Sequence, residues 1–273
     1  MTSDTELPDS SKPPPLPSDP AGRKPSAGLP RDGTPWGLRQ TVGFFFLIGC
    51  VWVVAQGIAG SLYVLATRGI EGVATLDLEK LARSGDFFAT CTIATAPVAW
   101  ILTAAVVWMR GRSSGIALSD YLGLKRVSYD HVLGCVAGTL AGALCIEVVS
   151  RVFDISLMPE SMLEAFRSTT WRPLMWMALI VAAPLGEEVL FRGFLLPGLC
   201  DSRLGPQGAI LFSASAFAAV HTQYDFFGMC VIFFVGAGLA FARLKTGSLF
   251  ASILMHSLLN LISTLQLEWY LRR

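Results

Sequence analysis

The string EEVLFR places Glu187, Glu188 and Arg192 inside an apolar stretch long enough to cross a membrane, where every ionisable group is costly and therefore marks a candidate functional site. Two histidines lie in later apolar stretches: His221 follows Phe217 by four residues in FAAVH, and His256 precedes Asn260 by four in HSLLN. A carboxylate and imidazoles can take a proton from water, steady an oxyanion and protonate a leaving amine, so hydrolysis is the chemistry within reach of this set. Spacing sorts the roles. Residues four apart share a helix face, whereas neighbours point about 100° apart. Glu188 and Arg192 are thus expected to pair and neutralise each other in low dielectric. Glu187 then faces elsewhere without a local cation and is the carboxylate assigned to chemistry. A single structural polar cluster of all three residues is the plainer alternative, but it spends three ionisable groups where one apolar turn would serve.

Phe217 and His221 share a face, so the phenyl ring is expected to orient the imidazole. A His and Asn pair such as His256 and Asn260 commonly glues membrane helices, and gains chemical meaning only beside Glu187 and His221. Glu147 lies near the end of its apolar run and His131 stands beside Asp130 at the start of the same run; both can reach the interface and neither is assigned to chemistry. Depth tests the grouping. Glu187 is 13 residues before Cys200 and His221 is 13 residues after Gly208, which puts both ~20 Å from the loop between them. His256 is 8 residues after Ser248. That is ~12 Å, a mismatch of about two turns for tilt or loop length to absorb.

The elements that must position these residues are membrane helices. Of 273 residues, 53% are apolar and only 15% charged, with mean hydropathy +0.55, against roughly 25% charged in soluble domains. Runs over 42–66, 87–109, 131–150, 173–200 and 248–267 each reach the ~20 residues that span ~30 Å of hydrocarbon. Shorter runs over 209–222 and 226–242 lie between the last two. The expected fold is an all-α polytopic transmembrane bundle of seven spans, or eight if the short pair forms a re-entrant segment around Thr222 to Asp225. Residues 1–40 hold 10 of the 41 charges and 9 of the 15 prolines, which predicts a disordered cytoplasmic tail ahead of a transmembrane domain over 41–273. With that tail inside, twelve Lys and Arg fall on the cytoplasmic side and eight outside, an excess that favours a cytoplasmic N-terminus and an outer C-terminus. Trp100, Trp108, Trp171 and Trp176 are expected as interface anchors, and Gly134, Gly138 and Gly142 as a close helix-packing stripe.

A net charge of +1 without a basic cluster excludes a nucleic-acid surface. The six cysteines include no CxxC pair and lie mostly in apolar runs, so neither a disulfide framework nor a thiolate metal site is expected.

EExxxR (Glu187, Glu188, Arg192), FxxxH (Phe217, His221) and HxxxN (His256, Asn260), in this order on successive membrane helices, resemble the motifs of the CPBP family, the CAAX proteases and bacteriocin-processing enzymes also called Abi proteins. The resemblance covers about residues 115–267 and includes YLGLKRVS ahead of the third span. It implies an intramembrane endopeptidase with a cavity open to one side of the membrane. Its implied partners are membrane lipid and a membrane-associated protein or peptide substrate, prenylated in part of the family. The implied catalytic set is Glu187, Glu188, His221, His256 and Asn260, supported by Arg192 and Phe217. Glu187 would take the proton of a water also held by His221, while His256 and Asn260 donate to the tetrahedral oxygen, and Glu188 with Arg192 holds the helix. This reading requires no cofactor. Zinc on Glu187, His221 and His256 is the alternative, since three protein ligands plus water is the usual catalytic zinc arrangement; against it stand the lack of HExxH and the poor ligand quality of Asn. A non-catalytic membrane immunity or regulatory partner of the same fold is the rival reading, and the intact motifs argue against it. A proton relay or transporter is opposed by the absence of paired, interrupted half-repeats.

Overall fold

The structure, a computed structural model, describes residues 36–74, 77–112, 114–155 and 158–272. The expected tail lies outside the described residues up to position 35. The chain folds as helices α1 (Leu38–Ala74), α2 (Leu78–Ala82), α3 (Gly85–Gly111), α4 (Leu118–Leu122), α5 (Tyr129–Val152), α6 (Glu160–Ser168), α7 (Arg172–Cys200), α8 (Gly205–Ala219), α9 (Phe226–Thr246) and α10 (Leu249–Leu271), and no strand occurs among the described residues. Side-chain caps set the starts of several helices. Ser84 accepts from Phe87 N–H, Ser128 from His131 N–H, Asp225 from Gly228 N–H and Ser248 from Phe250 N–H, each satisfying an amide the helix itself cannot.

Six helices, α1, α3, α5, α7, α9 and α10, are long and apolar enough to cross a membrane, so the chain is an all-α polytopic membrane protein. The seventh expected span, 209–222, corresponds to α8, which has 15 residues, or ~22 Å of rise, short of the hydrocarbon thickness. The rest of the run forms the turn into α9: His221 N–H donates to Ala218 O and Tyr224 N–H to His221 O.

Contacts at the two ends of the bundle fix its topology. At one face, the Trp36 ring lies 5.0 Å from that of Tyr121, the Tyr121 hydroxyl donates to Phe194 O at 3.0 Å, and Leu249 N–H donates to Gly123 O at 2.8 Å. The starts of α1 and α10 therefore meet α4 and the last part of α7. At the opposite face, Thr170 N–H donates to Asp86 Oδ1 at 3.1 Å, and Trp176 Nε1 donates to Glu268 Oε1 at 3.4 Å. The two ends of the described chain consequently lie on opposite faces.

Helix α7 runs through the middle, and every residue from Glu188 to Cys200 is buried. Pro184 and Pro197 interrupt its amide ladder, and two π-helical stretches, Ala178–Ala182 and Val189–Leu195, bracket the two glutamates. Such widened turns are rare and recur at functional sites. Lipid is as apolar as these side chains, so close packing and polar bonds hold the helices around α7. Trp100, expected at the interface, instead donates its indole N–H to Leu185 O at 2.9 Å, pinning α3 to α7, and Trp176 serves Glu268. Trp108 and Trp171 are exposed, as anchors require. The Gly134, Gly138 and Gly142 stripe packs against nothing in the described chain: an added Cβ would meet no atom within 4 Å, because α5 buries its other side through Cys135 and Thr139.

Candidate active site

Glu187 and Glu188 occupy the α-helical segment between the two π stretches, and their neighbouring positions send them to different partners. Glu188 is fully buried; its Oε1 accepts from Arg192 Nη1 at 2.8 Å and lies 2.9 Å from His256 Nδ1. Arg192, also fully buried, spends its Nη2 on Gly236 O at 2.9 Å and lays its guanidinium 4.3 Å above the Phe217 ring. An alanine methyl at Gly236 would sit 3.2 Å from Phe217 and 3.3 Å from Arg192 Nη2; the hydrogen atom is what allows this approach. The pair expected from spacing is thus formed and continues into α9 and α10.

Glu187 turns the other way. Its Oε2 is buried without a hydrogen-bond partner, and His221 Nε2 and His256 Nε2 each lie 3.9 Å from it. The far side of each imidazole is committed: His221 Nδ1 is 2.7 Å from Phe217 O, and His256 Nδ1 is on Glu188. A carbonyl can only accept, so His221 donates from Nδ1, which in the neutral ring leaves Nε2 as the acceptor. The carboxylate of Glu188 likewise makes His256 Nδ1 a donor. Phe217 packs its ring 4.6 Å from that of His221 and 5.7 Å from that of His256, so it orients both imidazoles and supplies a carbonyl as well. The two-turn depth mismatch reckoned for His256 does not separate it from Glu187, because α10 crosses α7 at this level.

A gap of 3.9 Å is too long for a direct hydrogen bond and suits one small bridging group held between Glu187 Oε2 and the two Nε2 atoms. These three atoms are also the donors that a zinc ion would take; among the described residues, no three His, Cys, Asp or Glu side chains come together closely enough to hold a metal. Asn260, expected beside the reacting centre, donates its Nδ2 to Leu179 O at 2.7 Å. The site also contains a residue that the motifs do not mark. Tyr224 follows His221 in the turn before α9, with its ring 6.3 Å from the imidazole; burial, and then the Glu187 charge, push its phenol up from the ordinary value. Glu147 and His131 stay apart from this centre, the first paired with Arg151 at 2.6 Å and the second on Ser128 at 3.0 Å.

Fold and site together define an integral, all-α membrane protein with a polar cluster at the centre of its bundle. Residues 169–262 match the family model of the Rce1-like type II CAAX prenyl endopeptidases, so the resemblance carried by the three motifs holds where they lie. The same comparisons found no match among curated proteins or solved structures.

Proposed function

We propose that the protein is an intramembrane endopeptidase that hydrolyses a peptide bond of a membrane-associated protein or peptide, prenylated or plain, with Glu187 activating the attacking water. The observation that carries this reading is the unpartnered, buried Glu187 Oε2 facing two histidine Nε2 atoms. A water donating to Glu187 and to His221 Nε2 loses a proton to the carboxylate, and its oxygen attacks the scissile carbonyl carbon. His256, protonated and held by Glu188, presents an Nε2–H to the developing oxyanion, much as a buried carboxylate supports an imidazolium in other hydrolases. The proton held by Glu187 then passes to the leaving amine as the C–N bond breaks. Glu188 and Arg192 fix the helix and the His256 ring.

No step requires a metal in this reading; zinc on Glu187, His221 and His256 is the alternative. The tail is proposed to be cytoplasmic, with the domain over 41–273 in the membrane and lipid as its solvent. The test is cleavage of a panel of prenylated and plain peptides by purified protein in detergent or lipid, for wild type, Glu187→Ala, and wild type with chelator. Cleavage by wild type, its loss in Glu187→Ala and its survival with chelator are expected. Cleavage by Glu187→Ala at the wild-type rate overturns the assignment, and loss with chelator followed by recovery on adding zinc favours the metal.

A further inference from the structure

The turn between α8 and α9 sets a phenol at the mouth of the polar cluster. Glu188 and Arg192 are sealed in the bundle, but Glu187 and His221 keep 22% and 16% of their side chains exposed. His221 opens that turn, and Thr222, Gln223 and Asp225 beyond it are exposed, so a ligand that reaches Glu187 passes this turn. Tyr224 is held there by its surroundings. Its N–H donates to His221 O at 3.1 Å, its ring lies 6.3 Å from the imidazole, and Gly228 makes room for it, since a Cβ at that glycine would come 2.8 Å from Tyr224 Cδ1. Asp225 fixes the far side of the turn by capping α9 through Gly228 N–H at 2.7 Å.

A phenylalanine would make every contact that Tyr224 makes. The hydroxyl is surplus to them: it bonds to no described residue and is not sealed from the surface, although a tyrosine hydroxyl away from open water ordinarily has a partner. Burial, and then the Glu187 charge, raise the phenol, so it holds its proton at neutral pH and is a donor. The same charge repels a free carboxylate and leaves a neutral acceptor as the fitting ligand. A bound peptide supplies one carbonyl per residue, about 3.3 Å apart in an extended chain, so those within about two residues of the bond under attack span the 6.3 Å between the Tyr224 and His221 rings.

We infer that Tyr224 is a substrate-contacting residue of this site: its ring walls the entrance beside His221, and its hydroxyl donates a hydrogen bond to a main-chain carbonyl of the bound peptide that flanks the scissile bond. The inference deepens the peptidase reading, on which the choice of a peptide ligand rests. A contact to a flanking carbonyl is made equally in the ground state and the transition state, so it acts on KM and not on kcat.

The test compares Tyr224 with Tyr224→Phe in two backgrounds of the purified protein in detergent. In the wild-type background the readouts are the thermal midpoint and the kinetics of cleavage of prenylated and plain peptides; in the Glu187→Gln background the readout is binding of the same peptides, fluorescently labelled, by anisotropy. Tyr224→Phe is expected to leave the thermal midpoint and kcat little changed, to raise KM by about tenfold, and to weaken binding in the Glu187→Gln protein by the same factor. Unchanged KM and binding overturn the inference, whether or not the thermal midpoint falls, and a fall in kcat at constant KM overturns it by moving the hydroxyl to the reacting atoms. If wild type cleaves no peptide, the peptidase reading fails alone and binding decides: a tenfold loss with Tyr224→Phe upholds the contact, and equal binding or none overturns it.

Discussion

His256 places its Nδ1 2.9 Å from Glu188 Oε1, and this one contact separates the two adjacent glutamates by role. Glu188 Oε1 holds both Arg192 and His256, whereas Glu187 meets no cation or imidazole closer than the two histidine Nε2 atoms at 3.9 Å. Glu187→Gln should leave the thermal midpoint of the purified protein unchanged or raised, because it removes a buried, unsatisfied carboxylate oxygen, while peptide cleavage falls by about 10²-fold or more. Glu188→Gln should instead destabilise the protein by about 3 kcal/mol, since it leaves Arg192 buried without its counter-charge. Equal stability losses in the two variants, measured by denaturation in detergent, would show that both carboxylates are structural.

Arg192 makes demands that lysine cannot meet. Its planar fork bonds Glu188 Oε1 and Gly236 O from separate nitrogens while its flat face covers Phe217. An ammonium is a point charge that cannot reproduce the fork and the stacking together. Arg192→Lys should cost about 2 kcal/mol, and Arg192→Met, which leaves Glu188 buried and unpaired, about 3–5 kcal/mol. Adding Glu188→Gln to Arg192→Met should recover part of that loss, because removing both charges is cheaper than stranding one. A double variant less stable than Arg192→Met alone would contradict the pairing.

The divergence of Glu187 and Glu188 was legible because helix geometry alone separates neighbours and aligns residues four apart. The sharing of Phe217 and His221 was legible for the same reason. What the sequence does not announce comes from contacts between helices. The Glu188 bond to His256 joins residues 68 positions apart, and the Asn260 bond to Leu179 O joins residues 81 apart. Arg243 counted in the sequence as one more positive charge at a membrane face; in the fold it is fully buried, with Gly123 so close that a Cβ there would collide with its guanidinium. Gly123 has φ +69, so both its backbone conformation and the guanidinium beneath it favour a residue with no side chain. Lipid-facing and core-facing positions are equally apolar, so periodicity could not say that the α5 glycines face outward.

Tyr121 supplies a test at the membrane face, outside the spans. Its fully buried hydroxyl donates to Phe194 O at 3.0 Å and ties α4 to α7. Burial raises its phenol well above the ordinary 10.0. The folded protein therefore keeps this proton where the unfolded chain has begun to lose it, so the contribution to stability is intact below pH 10.0 and is lost as pH rises from there through the folded value. Tyr121→Phe should cost about 1 kcal/mol near neutral pH, where it removes only the hydrogen bond. Between about pH 9 and about pH 11 wild type should lose more stability than the variant, so the gap between their denaturation midpoints narrows. Parallel curves over that range would mean that the Tyr121 hydroxyl is not held protonated by the fold, and that the α4 contact with α7 rests on the aromatic packing of Trp36, Tyr121 and Phe194 alone.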